Sequence, residues 1–248
     1  MKIGMWLMTA AMIVALGIAH TDTQAKSAQA ATSADAENDA QQALLWEARH
    51  LIDAGKRAEA IATIDKVLAY YEAKYPEGKQ RWFVARDPQE SLAYMLIAAA
   101  DMDKGTDKRS ASALVNWWSE AYYLKGYTLV ELGQPGKAKE AFENAIRLSP
   151  YNSQYLSELG NFYLTEKNWQ KAMEFDNKAD DAAAFSLADQ KVSDSTRAKR
   201  GLGYALVELN RIDEAEAKYK ECLALDANDK KAQQELDYVR SLKAKNKK

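Results

Sequence analysis

The sequence predicts an all-α fold, an α-solenoid of stacked antiparallel helical hairpins closed by a C-terminal capping helix. Three observations carry that expectation. Only 11 glycines and 4 prolines occur in 248 residues, too few turn formers for a many-stranded fold, while 47% hydrophobic content supplies a substantial core. Amphipathic helical patterns come in pairs, as in residues 119–150, where Gly133-Gln134-Pro135-Gly136 divides two runs. The pairs also recur at a fixed distance, for Gly126 and Gly160 stand 34 residues apart, as do Ala138 and Ala172.

Taken in chain order, Lys2 precedes the apolar run Met5 to Ala19, and small residues follow at Thr23-Gln24-Ala25 and Ala28-Gln29-Ala30. Residues 1–30 are therefore expected to be a signal peptide and its cleavage region, cut after Ala25 or Ala30, which places the mature protein in the periplasm. The alternative is retention as an N-terminal membrane anchor, although the run falls short of the ~18–20 residues that span a bilayer. The small, polar residues 31–40 read as a flexible mature N-terminus.

Residues 41–118 form a degenerate hairpin region. Leu44, Ala48, Leu51, Gly55, Ala60, Ile64 and Val67 mark a weak first pair. Asp87-Pro88-Gln89-Glu90 then reads as a helix start, with a capping side chain followed by proline at the first helical position, and a helix runs to about Asp101. A long helix is expected from about Arg109 to Leu132. Three clear repeats follow at 119–152, 153–186 and 196–229, with an insertion near 187–195, and residues 230–248 make the capping helix and a basic tail.

In the best unit, Tyr122, Gly126, Leu129, Gly133, Ala138, Phe142, Ala145, Leu148 and Pro150 fall in an order that resembles the tetratricopeptide-repeat (TPR) family, in an exported bacterial-type form. Leu156, Gly160, Tyr163, Ala172 and Ala179 repeat it, as do Leu202, Gly203, Leu206, Ala215, Tyr219 and Leu225. Two departures stand out. Asp176 occupies a slot that is usually large and apolar, so Met173 or Phe175 is expected to supply the volume, and Asn210 replaces the helix-ending glycine.

The resemblance implies a TPR superhelix acting as a non-enzymatic scaffold for a protein or peptide in the cell envelope. It turns the first helix of each hairpin toward a concave groove, whose candidate residues are Arg49, Tyr123, Tyr127, Glu131, Asn161, Arg197, Arg200, Tyr204 and Glu208. Tyrosine and arginine suit recognition because each joins a large contact area to a polar end. The family's carboxylate clamp is not matched: Asn161 is present, but Ser157 precedes it by one turn.

Other chemistry finds little support in the residues. A net charge of −2 provides no positive field for nucleic acid. No cofactor is expected, and no metal: Asp101 to Asp107 has the alternating carboxylates of a calcium loop, but its glycine comes one residue early and Ser112 stands where the closing glutamate belongs. His50 is the one histidine outside the leader, and Cys222, the single cysteine, reads as buried and inert. Trp117 and Trp118 point about 100° apart on a helix, so one is expected in the core. Two alternatives remain: a membrane-anchored, self-associating oligomer if the leader is retained, and an enzyme with a site in residues 71–118, which would require a deep pocket with converging carboxylates.

Overall fold

The computed structural model describes residues 36–78 and 80–245. The expected leader, its cleavage sites and residues 31–35 lie outside the described residues; residues 36–40, expected to be flexible, are the first turn of α1. Helices α1 (36–53) and α2 (Arg57–Lys74) form the first hairpin, turned at Gly55 with φ +76°. Leu45 and Ala48 of α1 meet Ile64, Val67 and Leu68 of α2 in the main core.

A small α/β element follows. Strand β1 (Gln80–Val84), helix α3 (Pro88–Asp103) and strand β2 (Ser110–Leu114) make a parallel pair joined by a crossover helix, in register from Gln80↔Ser110 to Val84↔Leu114. The Asp87 side chain accepts from the Glu90 N–H at 2.8 Å while Glu90 accepts from the Arg86 N–H at 2.6 Å, so two orphan donors at the start of α3 are satisfied reciprocally. Buried Phe83, Ala85, Tyr94 and Ala98 hold α3 against the strands.

This corrects the expected long helix from Arg109 to Leu132. Residues 110–114 are extended because β1 takes up their backbone groups and α3 takes up Ala111 and Ala113. Helix α4 (Trp118–Glu131) begins only where the Asn116 side chain accepts from the Trp118 N–H at 3.0 Å. Trp118 is the core member of the tryptophan pair, stacked on Tyr71 and Tyr75, and Trp117 is the residue that precedes the helix.

Three further hairpins complete the solenoid: α4 with α5 (Pro135–Leu148), α6 (Ser153–Thr165) with α7 (Trp169–Ala182), and α8 (Lys191–Glu208) with α9 (Ile212–Leu225). Their close contacts are equivalent. A Cβ on Gly126 would stand 2.6 Å from the Phe142 ring, one on Gly160 2.5 Å from the Asp176 carboxyl, and one on Gly203 2.6 Å from the Tyr219 ring. In each hairpin the first helix thus has a glycine where a side chain of the second comes too close for any larger residue. Gly133, Lys167 and Asn210 end the first helices at φ +67°, +55° and +57°. Lysine adopts this region less readily than glycine or asparagine, and here the hairpin geometry imposes it.

Asp176 itself fills its slot, correcting the expectation that Met173 or Phe175 would; Phe175 instead stacks on Tyr163 at 5.5 Å. The insertion is a short 3₁₀ turn (Ala183–Phe185) and a longer first helix, α8 having 18 residues against 13 in α6. Buried Asp194 anchors it by accepting from Ser186 at 2.7 Å and from Arg197 at 2.9 Å. Helix α10 (Lys230–Lys245) covers the last hairpin, packing Leu236 and Val239 on Leu206, Ala215 and Tyr219.

Candidate partner-binding groove

The candidate groove residues divide into two recesses on the side formed by the first helices. Between α1 and α4, a recess of about 370 Å³ is lined by Arg49, Tyr123 and Tyr127 together with Trp46, His50 and Asp53. Tyr123 is a wall here, not an anchor. It is buried, stacks on Tyr155 at 5.0 Å, and accepts from Gln154 Nε2 at 2.7 Å; burial holds its hydroxyl well above the usual tyrosine range, hence protonated. Arg49 is tied to Glu120, whose carboxyl also accepts from the Tyr155 hydroxyl at 2.8 Å. Burial raises the Glu120 carboxyl, against the opposing pull of Arg49 and Tyr155. The large apolar side chains open to a partner are Tyr127, 42% exposed, and Trp46, 57% exposed, with His50 and Asp53 exposed beside them.

The second recess, about 330 Å³, brings together Asn161 of α6 with Arg197, Arg200 and Tyr204 of α8. Its far wall is α10, through Lys231, Gln234 and Glu235. Arg200 is fixed by Asp229 and Arg197 by Asp194, so both guanidinium groups are held in place with donors remaining. Tyr204 is 44% exposed and tilts against Trp169 with ring centres 6.4 Å apart. Burial raises the Glu158 carboxyl of α6, against the opposing pull of Arg197 and a hydrogen bond from Asn161.

Two expected residues stand elsewhere. Glu131 pairs with Arg57 at 2.8 Å and ties α4 to the start of α2. Glu208 is exposed near the end of α8, outside the residues that line the second recess. Sequence reasoning missed Trp46, which lies one turn before Arg49 on the same helix, and missed the contribution of α10, which it treated as a cap alone.

Cys222, Asp101 and Asp107, singled out in the sequence for other chemistry, are engaged within the fold. Cys222 is buried, with its thiol pushed up to about 11 by desolvation, the opposite of an activated nucleophile. Asp101 and Asp107 bind Arg81 and Arg109 at 2.6 Å each. Among the described residues there is no group of three or more metal-ligating side chains, and no helix is long and apolar enough to cross a membrane.

Two models of the tetratricopeptide repeat match the sequence, one over residues 123–186, from α4 through α7, and one over residues 201–229, from α8 through α9. Comparison with curated proteins yields no match. Among solved structures, the chain is similar to pilF of Pseudomonas aeruginosa, with a TM-score of 0.57 at 13% identity over 84% of this chain and 71% of that one. It is similar also to MamA (41-end) of Desulfovibrio magneticus RS-1, with a TM-score of 0.52 at 15% identity over 84% and 87% of the respective chains. At such identities the likeness is one of fold. Repeat matches in phase with α4 to α9, joined to equivalent glycine contacts in three hairpins, show that residues 123–186 and 201–229 are built of tetratricopeptide repeats.

Proposed function

We propose that this protein is a non-enzymatic scaffold of the cell envelope that holds a segment of a partner protein along its first-helix side. The observation that carries the reading is the placing of exposed aromatics beside fixed polar groups: Trp46 and Tyr127 at one recess, Tyr204 at the other. A preformed surface of this kind loses little conformational freedom on binding, and aromatic anchors commonly dominate the affinity of such contacts. The family's broad role in protein–protein interaction supports the same reading. The envelope assignment rests on the apolar run after Lys2 and the small-residue sites that follow it.

The test is a pull-down from periplasmic extract with the natural chain and with a Tyr127→Ala/Tyr204→Ala variant. Both side chains are exposed, so folding should be unchanged, and a groove-bound partner should lose about 2 kcal/mol or more of affinity, roughly thirtyfold. Retention of every partner by the variant would remove the groove from the account. Sequencing of the exported protein's N-terminus should find a start after Ala25 or Ala30; an intact Met1 would favour the anchored form.

A further inference from the structure

A separate cleft of about 500 Å³ opens where β1 and β2 end. Its rim is made by the two strand-to-helix loops, at Arg86 and at Val115 to Trp117, with the start of α6 and the approach to α8 opposite. The carboxyl ends of parallel strands are where α/β units place their ligands, and the volume is that of a small-molecule site. The cleft is bounded by α1, both loops, α6 and the turn before α8, so it receives a short molecule better than a chain that must run through.

Its electrostatics point to a neutral ligand. Arg49 is paired with Glu120, and Arg86 with Glu90 through two contacts at 3.0 and 3.1 Å, so each cation of the cleft is balanced by a carboxylate and the wall carries no net positive charge from them. What remains includes five side-chain amides, of which those of Asn38, Asn116, Asn152 and Gln154 are each held at one end. The oxygens of Asn38, Asn116 and Asn152 accept from the Tyr71 hydroxyl, the Trp118 N–H and the Tyr155 N–H at 3.1, 3.0 and 3.3 Å. Their NH₂ groups are therefore the ends left over, and that of Asn116 is buried without a partner among the described residues. Gln154 is held the other way, its NH₂ donating to Tyr123, which leaves its oxygen as an acceptor. Trp117 adds an apolar face beside them.

We propose that this cleft binds a neutral sugar unit, recognised through fixed amide donors and the Gln154 acceptor, with the Trp117 ring as an apolar platform. Polyhydroxylated rings present both donors and acceptors at close spacing without charge, which is the complement of this wall. The cleft shares Arg49 with the first recess, but neither Tyr127 nor Tyr204, the groove's exposed tyrosines, lines it.

The experiment is binding of the exported chain to an array of immobilised neutral, acidic and sulfated oligosaccharides, followed by calorimetric titration with the free disaccharide of the best neutral hit. The same titration is run on Gln154→Ala, Asn38→Ala and Tyr127→Ala/Tyr204→Ala, with circular dichroism to confirm folding. Neutral glycans sharing one unit should be retained, at least about tenfold more weakly by each of the first two variants, and equally well by the third. Retention of no neutral glycan, retention of acidic or sulfated glycans alone, or unchanged binding by folded Gln154→Ala and Asn38→Ala overturns the proposal. The groove reading would survive that result, because its own test uses a different variant and a protein partner.

Discussion

At the scale of single residues, Asp176 has the clearest physical consequence. Its side chain is 1% exposed, its Oδ2 has no hydrogen-bond partner among the described residues, and it is wedged between Gly160 and Gly201. Burial alone raises its carboxyl from 3.8 to about 8. Because the folded state keeps this proton longer than the unfolded chain does, there is no penalty below pH 3.8; it grows between there and about pH 8 and is complete above. Stability should therefore fall as pH rises through that window, by up to about 1.4 kcal/mol per unit from this group. Thermal melts at pH 5 and pH 8 should show a wider gap for the natural chain than for Asp176→Asn, and equal gaps would show that the carboxyl is not the source.

The repeat glycines give a second residue-scale outcome. Gly126→Ala would press a methyl group into the Phe142 ring and should cost about 1–3 kcal/mol, read as a fall in Tm of about 2–4 °C for each kcal/mol in a chain of this size. Gly136→Ala, on an exposed helical site with nothing within 4 Å of the added carbon, should be neutral or slightly stabilising. Gly126 and its counterparts were legible in the sequence because a 34-residue spacing makes the requirement recur. The departure at Asp176 was legible too, but its isolation was not: the second glycine against it, Gly201, comes from the lengthened α8, whose phase the 34-residue spacing does not set.

At the scale of elements, the β1-α3-β2 unit is the part that sequence reasoning did not foresee. Its strands are five residues each, and Ser-Ala-Ser-Ala-Leu has neither β-branched residues nor a strong alternation. Parallel pairing with Gln80–Val84 joins positions 30 residues apart, and it overrides a local preference that is compatible with helix. The start of α3 was readable for the opposite reason, since a capping residue, a proline and a glutamate are all local signals. The unit is tied to the solenoid by the buried Ser149 hydroxyl, which donates to the Val84 carbonyl at 2.6 Å. Ser149→Ala leaves that carbonyl without the bond and should cost about 1–2 kcal/mol. Hydrogen exchange should show the loss concentrated at the β1 and β2 amides; protection unchanged there would mean that the strands are held by other contacts.

At the scale of the whole molecule, the chain combines a repetitive frame with two irregular additions, the strand unit and α10, and each addition borders a recess. Helix α10 is both a lid on the hydrophobic end and a wall of the second recess. Leu236→Ala should destabilise by about 2–5 kcal/mol, as expected for a buried leucine packed on Leu206 and Tyr219. The frame could be read from periodicity, whereas the division of the groove into two recesses could not, because it depends on which side chains pair internally. Arg49, Arg197 and Arg200 look alike in sequence as exposed cations, yet each is held by a carboxylate in the fold.

The measurement closest to the central claim is site-specific photo-crosslinking in the native envelope, with the reactive side chain at position 127 or 204 on the first helices, or at Lys66 or Glu143 on the second helices α2 and α5. Tyr127, Tyr204, Lys66 and Glu143 are all exposed, so access is comparable. A partner held along the first-helix side should be captured from positions 127 and 204 and not from 66 and 143. Capture of the same partner from Lys66 or Glu143, with none from the tyrosine positions, would contradict the account.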